Sequence, residues 1–172
     1  MRSILVLAAL ALGMACDESD SGTTIGAPYE DARVSACGGF GAAARALTSA
    51  EYCAAEALDW RYDSATGDLA LTHSRVGLNC CGQHAVAAEW NGDTLAVAAS
   101  DAPDGDRCRC DCVFDFALTV TGVSIDQSPL HLAWDLAVSE AAAARVVFDG
   151  DLDLSQGSGR VVLSDAPVMG CE

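Results

Sequence analysis

The sequence predicts a mainly β fold: a disulfide-linked β-sandwich or barrel-like domain of about eight strands, with a short helical segment on its N-terminal side. Three observations lead there. Apolar and polar residues alternate with period two over much of residues 58–164, as they do in strands with one buried face. Gly, Pro, Asn and Asp punctuate those runs at intervals of about 8–12 residues, the spacing of sandwich and barrel strands. Five of the nine cysteines fall in two clusters, Asn79-Cys80-Cys81-Gly82 and Cys108-Arg109-Cys110-Asp111-Cys112.

A chain of 172 residues has room for one domain plus a tether. Its composition is 51% hydrophobic but only 6% aromatic. Much of the apolar total is alanine, so each buried residue covers little area and cross-links gain in importance. The net charge is −16, and all basic residues are arginine. Such a surface repels phosphate backbones and gains nothing from counterion release, which excludes nucleic acid as an expected partner.

Residues 28–41 read as irregular and carry Cys37. Residues 42–58 read as helical, with Thr48 and Glu51 in capping-box spacing. From Leu58 the period changes to two. Leu58, Trp60 and Tyr62 alternate with polar neighbours, residues 64–68 turn, and Leu69 and Leu71 lead on to His73, which together predict a hairpin. Val86, Ala88 and Trp90 run into Asn91-Gly92, and Leu95, Val97 and Ala99 run away from it. Asn-Gly between alternating runs predicts a tight hairpin with both central residues at positive φ. Residues 101–106 read as an acidic loop. Phe114, Phe116, Leu118 and Val120 form the next run, and Leu130, Leu132, Trp134, Leu136 and Val138 form another after Ser128-Pro129. Two last strands, residues 145–154 and 160–164, are joined by a Ser/Gly loop. No internal repeat indicates a propeller or solenoid.

If Phe114 and Phe116 face inward and the strand extends unbroken toward the N-terminus, Cys112, Cys110 and Cys108 share that face. Residues two apart on a strand are separated by roughly 6.6 to 7 Å, at the limit of disulfide reach. Each member of the trio should then pair elsewhere. The expected bridges are Cys37 to Cys53, Cys80 and Cys81 each to one member of the trio, and Cys171 to the third. A metal centre at Cys80, Cys81, His84, Cys108, Cys110 and Cys112 is the alternative, and it needs residues 108–112 to be a loop so that sulfurs can converge on one ion. A Cys-x-Cys redox pair is a further alternative; Arg107 and Arg109 would favour its thiolate, Asp106 and Asp111 oppose it.

Asp149, Asp151 and Asp153 alternate as calcium ligands do, but Leu154 occupies the position of the turn glycine and Arg160 that of the last glutamate. An acidic strand face is the simpler reading. His73, His84 and His131 lack a zinc-protease spacing, and no nucleophile elbow, phosphate loop or dinucleotide fingerprint is present. No catalytic residue and no cofactor is expected. Trp60, Trp90 and Trp134 lie on alternating runs and are assigned to the core.

The N-terminus sets the expected compartment. Arg2 precedes an apolar run over residues 4–12, and Gly13-Met14-Ala15-Cys16 follows, which is the pattern of a signal peptide. The run is shorter than the roughly 20 residues of a membrane-spanning helix. Small residues before Cys16 resemble the lipobox of bacterial lipoproteins, with Ala15 in place and Gly13 where that family has leucine. The resemblance implies cleavage before Cys16, lipidation of Cys16, and residues 16–27 as an acidic tether; Asp17 in the family's retention position would favour the inner membrane. An ordinary secretory cut would instead leave Cys16 as a free thiol. Lipidation leaves eight cysteines, an even set for bridging in an oxidising compartment: Cys37, Cys53, Cys80, Cys81, Cys108, Cys110, Cys112 and Cys171.

The expected organisation is therefore a signal peptide (1–15), a lipidated tether (16–27) and one cysteine-rich β domain (28–172). The function expected is that of a non-enzymatic, lipid-anchored envelope protein whose partner at the membrane is the bilayer itself. An envelope metal-binding or thiol-redox protein is the competing expectation.

Overall fold

The computed structural model describes residues 28–38, 55–103, 105, 107–139 and 141–164. Nine strands occur among them: β1 (Tyr29–Val34), β2 (Glu56–Asp63), β3 (Asp68–Asn79), β4 (Gly82–Asn91), β5 (Thr94–Pro103), β6 (Asp111–Val120), β7 (Leu130–Val138), β8 (Arg145–Leu152) and β9 (Ser158–Ser164). They form one sheet in the order β1-β6-β3-β2-β9 and a second in the order β4-β5-β7-β8. Among the described residues the two sheets do not close on each other, so the architecture is a sandwich and not a barrel. Pairing is antiparallel except between β5 and β7.

The alternating residues meet between the sheets. Leu58, Leu71, Phe116 and Leu118 from one sheet and Leu95, Leu132 and Trp134 from the other are almost wholly buried. Trp60 and Tyr62 join them and Trp90 is half-buried, so all three tryptophans pack on the core. Three local expectations change. Residues 56–58, expected at the end of a helix, belong to β2 and are flanked on both sides by β3 and β9; ladder bonds with two neighbours outweigh a weak local helix preference. The rest of that expected helix lies outside the described residues. The segment expected to be irregular contains β1, a six-residue edge strand whose four central residues are exposed, which is why it shows no apolar alternation. In the β4–β5 hairpin Asn91 pairs with Thr94, so Gly92 and Asp93 form the turn. Only Gly92 has positive φ (63°), which is the demand of a type II′ turn with glycine first.

Four connections pass between the sheets. β3 to β4 and β5 to β6 do so at one end, where Asn79 faces Asp111 and Gly82 faces Pro103. β6 to β7 and β8 to β9 do so at the other. There the loops are tied by hydrogen bonds: Ser128 Oγ donates to Asp153 Oδ1 (3.3 Å) and accepts from the Leu154 amide (3.1 Å), and the buried Tyr62 hydroxyl donates to the Val123 carbonyl (3.0 Å). The first end is tied by sulfur.

Candidate functional site

At that end the chain turns from β3 into β4 through Cys80 and Cys81 alone, and it enters β6 through residues 107–110. Two disulfides join these connections, Cys80–Cys110 and Cys81–Cys108, with Cα separations of 5.7 and 5.6 Å. A third, Cys37–Cys112, fixes the chain just beyond β1 to the start of β6. The expected bridge from Cys37 to Cys53 is thus corrected: β1 runs beside β6, and the amides of Ser35 and Gly38 donate to the carbonyls of Asp115 and Val113, carrying Cys37 to Cys112. The expectation for Cys80 and Cys81 stands. The expected bridge from Cys171 to the trio is corrected as well, because Cys108, Cys110 and Cys112 are all paired with other cysteines; Cys16, Cys53 and Cys171 themselves lie outside the described residues.

The strand does not extend back through the trio. β6 begins at Asp111, so only Cys112 faces the core, at 3% exposure. Cys108 and Cys110 precede it in a loop, and their sulfurs approach each other to 3.2 Å. The sulfurs of Cys80, Cys108 and Cys110 all lie within 4.8 Å of one another.

Hydrogen bonds hold this corner independently of its sulfurs. Asn79 Nδ2 donates to the carbonyls of Cys108 (2.7 Å) and Cys110 (3.1 Å), and its Oδ1 accepts from the Cys81 amide (3.0 Å). The Cys80 amide donates to the Cys110 carbonyl (3.1 Å). One asparagine side chain therefore clamps both connections.

His84 is not part of the sulfur group. It packs against Phe114 in a tilted arrangement, with ring centroids 4.2 Å apart, and its Nε2 lies 3.3 Å from Asp101 Oδ1, near enough for an ion pair but not aligned as a hydrogen bond. Asp101, expected in a loop, is the buried eighth residue of β5. Arg107 reaches it with Nη1 (2.7 Å) and also donates from Nη2 to the Ser139 hydroxyl (2.8 Å). A carboxylate buried this deeply is tolerable because a guanidinium meets it directly. Gly82 makes the contact possible, since a Cβ there would overlap the Asp101 carboxylate and come within 2.7 Å of Arg107 and 2.8 Å of His84. A cavity of about 410 Å³ opens beside the group, lined by Gly77, Leu78, Asn79, Asp101, Arg107, Asp111 and Val138.

Two further histidines are engaged elsewhere. His73, wholly buried beside Trp134, contacts Glu56 through Nε2 at 2.7 Å, and Arg145 grips the same carboxylate at 2.6 and 3.2 Å. Burial would raise the Glu56 pKa, but the bonds from His73 and Arg145 prevail and lower it to about 2. On the surface, His131 lies between Asp151 (2.9 Å) and Asp149 (3.0 Å), so two acids of the calcium-like run serve a histidine. Asp115, on β6, has its pKa raised by burial despite the opposing Arg75 amide and charge.

The phase of the strands carried a signal for these buried polar groups. Asp101 continues the inward set Leu95, Val97, Ala99, and His73 continues Leu69, Leu71. Comparison of the chain with protein-family models, curated proteins and solved structures finds no match.

Proposed function

We propose that the protein is a non-enzymatic β domain of the bacterial cell envelope, stabilised by disulfides and anchored to a membrane by lipid on Cys16. The observation that carries this reading is that all six described cysteines are paired in three bridges. Such pairing belongs to exported proteins, and the signal-like residues 4–12 followed by Cys16 supply the route of export. Acyl chains on Cys16 suffice as an anchor, because two or more exceed the marginal membrane affinity of one.

Expression of the full chain in a bacterial host with a labelled fatty acid tests the anchor. Label is expected in a membrane-fraction protein and is expected to vanish, with release to the soluble fraction, in the Cys16→Ser variant. A wild-type protein that is soluble and unlabelled overturns it. Alkylation without reductant tests the domain, and modification of several thiols would refute the bridged reading.

The convergence of three sulfurs within 4.8 Å favours a second reading, a soft-metal or thiol-redox protein of the envelope. Metal ligation requires thiolates, so the corner bridges would have to be open. Elemental analysis of protein from an oxidising compartment separates the two. Stoichiometric zinc or copper with free thiols supports the metal reading, and metal-free, fully oxidised protein supports the structural one.

A further inference from the structure

We propose that Cys80–Cys110 and Cys81–Cys108 are an exchange-coupled pair, in which a thiol opening one bridge drives the formation of a third, Cys108–Cys110, and leaves Cys80 and Cys81 as adjacent free thiols. The inference goes beyond the stapling role above and does not depend on the anchor. It deepens the thiol reading by naming the reacting sulfurs and their co-reactant, a small-molecule thiol or a reduced dithiol.

Access comes first. Cys81 and Cys110 are exposed and Cys80 and Cys108 partly so; in the remaining bridge Cys37 is exposed and Cys112 is in the core. An external thiolate attacking Cys81 Sγ breaks the Cys81–Cys108 bond, forms a mixed disulfide on Cys81 and releases the Cys108 thiolate. That thiolate already lies 3.2 Å from Cys110 Sγ, within contact distance of a disulfide sulfur, the electrophile in thiol–disulfide exchange. Its attack forms Cys108–Cys110, breaks Cys80–Cys110 and expels the Cys80 thiolate, which takes a proton. A second external thiolate attacks the external sulfur of the mixed disulfide, releasing the Cys81 thiolate. Two external thiols have become one disulfide, and the protein has gained two electrons and two protons as the thiols of Cys80 and Cys81.

The corner is built to survive these steps. Asn79 holds the carbonyls of Cys108 and Cys110 and the amide of Cys81 by bonds that no sulfur carries. The attacking and attacked sulfurs therefore stay together after the first bridge opens, which is what raises an intramolecular step over its bimolecular equivalent. The loop conformation of residues 108–110 is equally necessary, since regular strand spacing would hold the two sulfurs apart.

The test uses wild-type protein titrated with substoichiometric dithiothreitol, quenched with N-ethylmaleimide and digested with trypsin without reduction. Arg75, Arg107 and Arg109 place Cys80 and Cys81 on one peptide and separate Cys108 from Cys110. Exchange predicts a two-electron-reduced species with two labels on the Cys80/Cys81 peptide and a bridge joining the Cys108 peptide to the Cys110/Cys112 peptide, which still carries the Cys37 peptide through Cys112. Asn79→Ala is expected to lower the share of that species. If every two-electron species instead carries one label on the Cys80/Cys81 peptide and one on Cys108 or Cys110, or if the corner passes directly to four labelled thiols, the proposal is overturned.

Discussion

At Glu56 a carboxylate, an imidazole and a guanidinium meet across the sandwich: β2 supplies the acid, β3 supplies His73, and β8 of the opposite sheet supplies Arg145. The folded pKa of about 2 lies below the ordinary 4.5. A depressed carboxylate contributes stability that is full above its unfolded pKa and is lost as pH falls through its folded one. The window is therefore pH 4.5 down to about 2, and the amount is on the order of 3 kcal/mol. Denaturant melts across that window should show wild-type stability falling and Glu56→Gln, less stable at neutral pH, following a flatter curve; parallel curves would refute the coupling. Asp115 acts with the opposite sign, because its raised pKa favours the fold as pH falls, and comparison of the two curves cancels it. His131 is the exposed counterpart. The bond to Asp151 raises its pKa, with Asp149 assisting, so its contribution is present below the unfolded value and fades as pH rises through the folded one. Proton NMR should place the His131 midpoint above an ordinary histidine and return it toward one in Asp151→Asn.

Gly82 shows how one missing side chain governs the strands around it. It opens β4 directly after the cysteine turn, and the space a Cβ would fill holds Asp101 of β5 and Arg107 of the following loop. Gly82→Ala should therefore separate Asp101 from Arg107 and cost about 1–3 kcal/mol, the usual range for overpacking a filled site. Calorimetry measures the loss, and Asp101→Asn combined with Gly82→Ala should lose less than the sum of the single changes, because the two share one contact. Sequence made the hairpins of β2–β3 and β4–β5 legible, since each is a local alternation around a local turn. It missed β1, whose outward residues meet solvent and whose pairing with β6 lies some eighty residues away. It placed residues 56–58 in a helix because the partners that make them a strand, β3 and β9, leave no mark on the local pattern. The inward polar residues were legible in principle, as Asp101 and His73 hold the phase of the apolar residues before them.

For the molecule as a whole, the cysteine pairing depends on which connections cross between sheets at the same end. Strand period cannot convey this. That Cys80 and Cys81 would reach the trio followed from parity and compartment; that Cys37 would reach Cys112 required the position of β1. The fold is consequently closed differently at its two ends, by hydrogen bonds around Ser128 and Asp153 at one and by two exposed bridges at the other. Cys37–Cys112 stands apart from both, spanning 75 residues with Cys112 in the core. By chain entropy a loop of that length is worth about 4.5 kcal/mol; its Cys37 end is exposed, but the Cys112 sulfur is reached only when β6 opens. Alkylation should therefore proceed in two stages. The corner sulfurs become alkylated first, with the sandwich still folded and its denaturant midpoint modestly lowered. Cys112 becomes alkylated later, at a rate that rises with denaturant because it tracks opening of the fold, and the midpoint then falls steeply because the longest constraint on the unfolded chain is gone. Time-resolved alkylation read by mass spectrometry distinguishes the stages. Equal rates at all six positions would mean that the sandwich does not protect Cys112 and that the three bridges stabilise it as one unit.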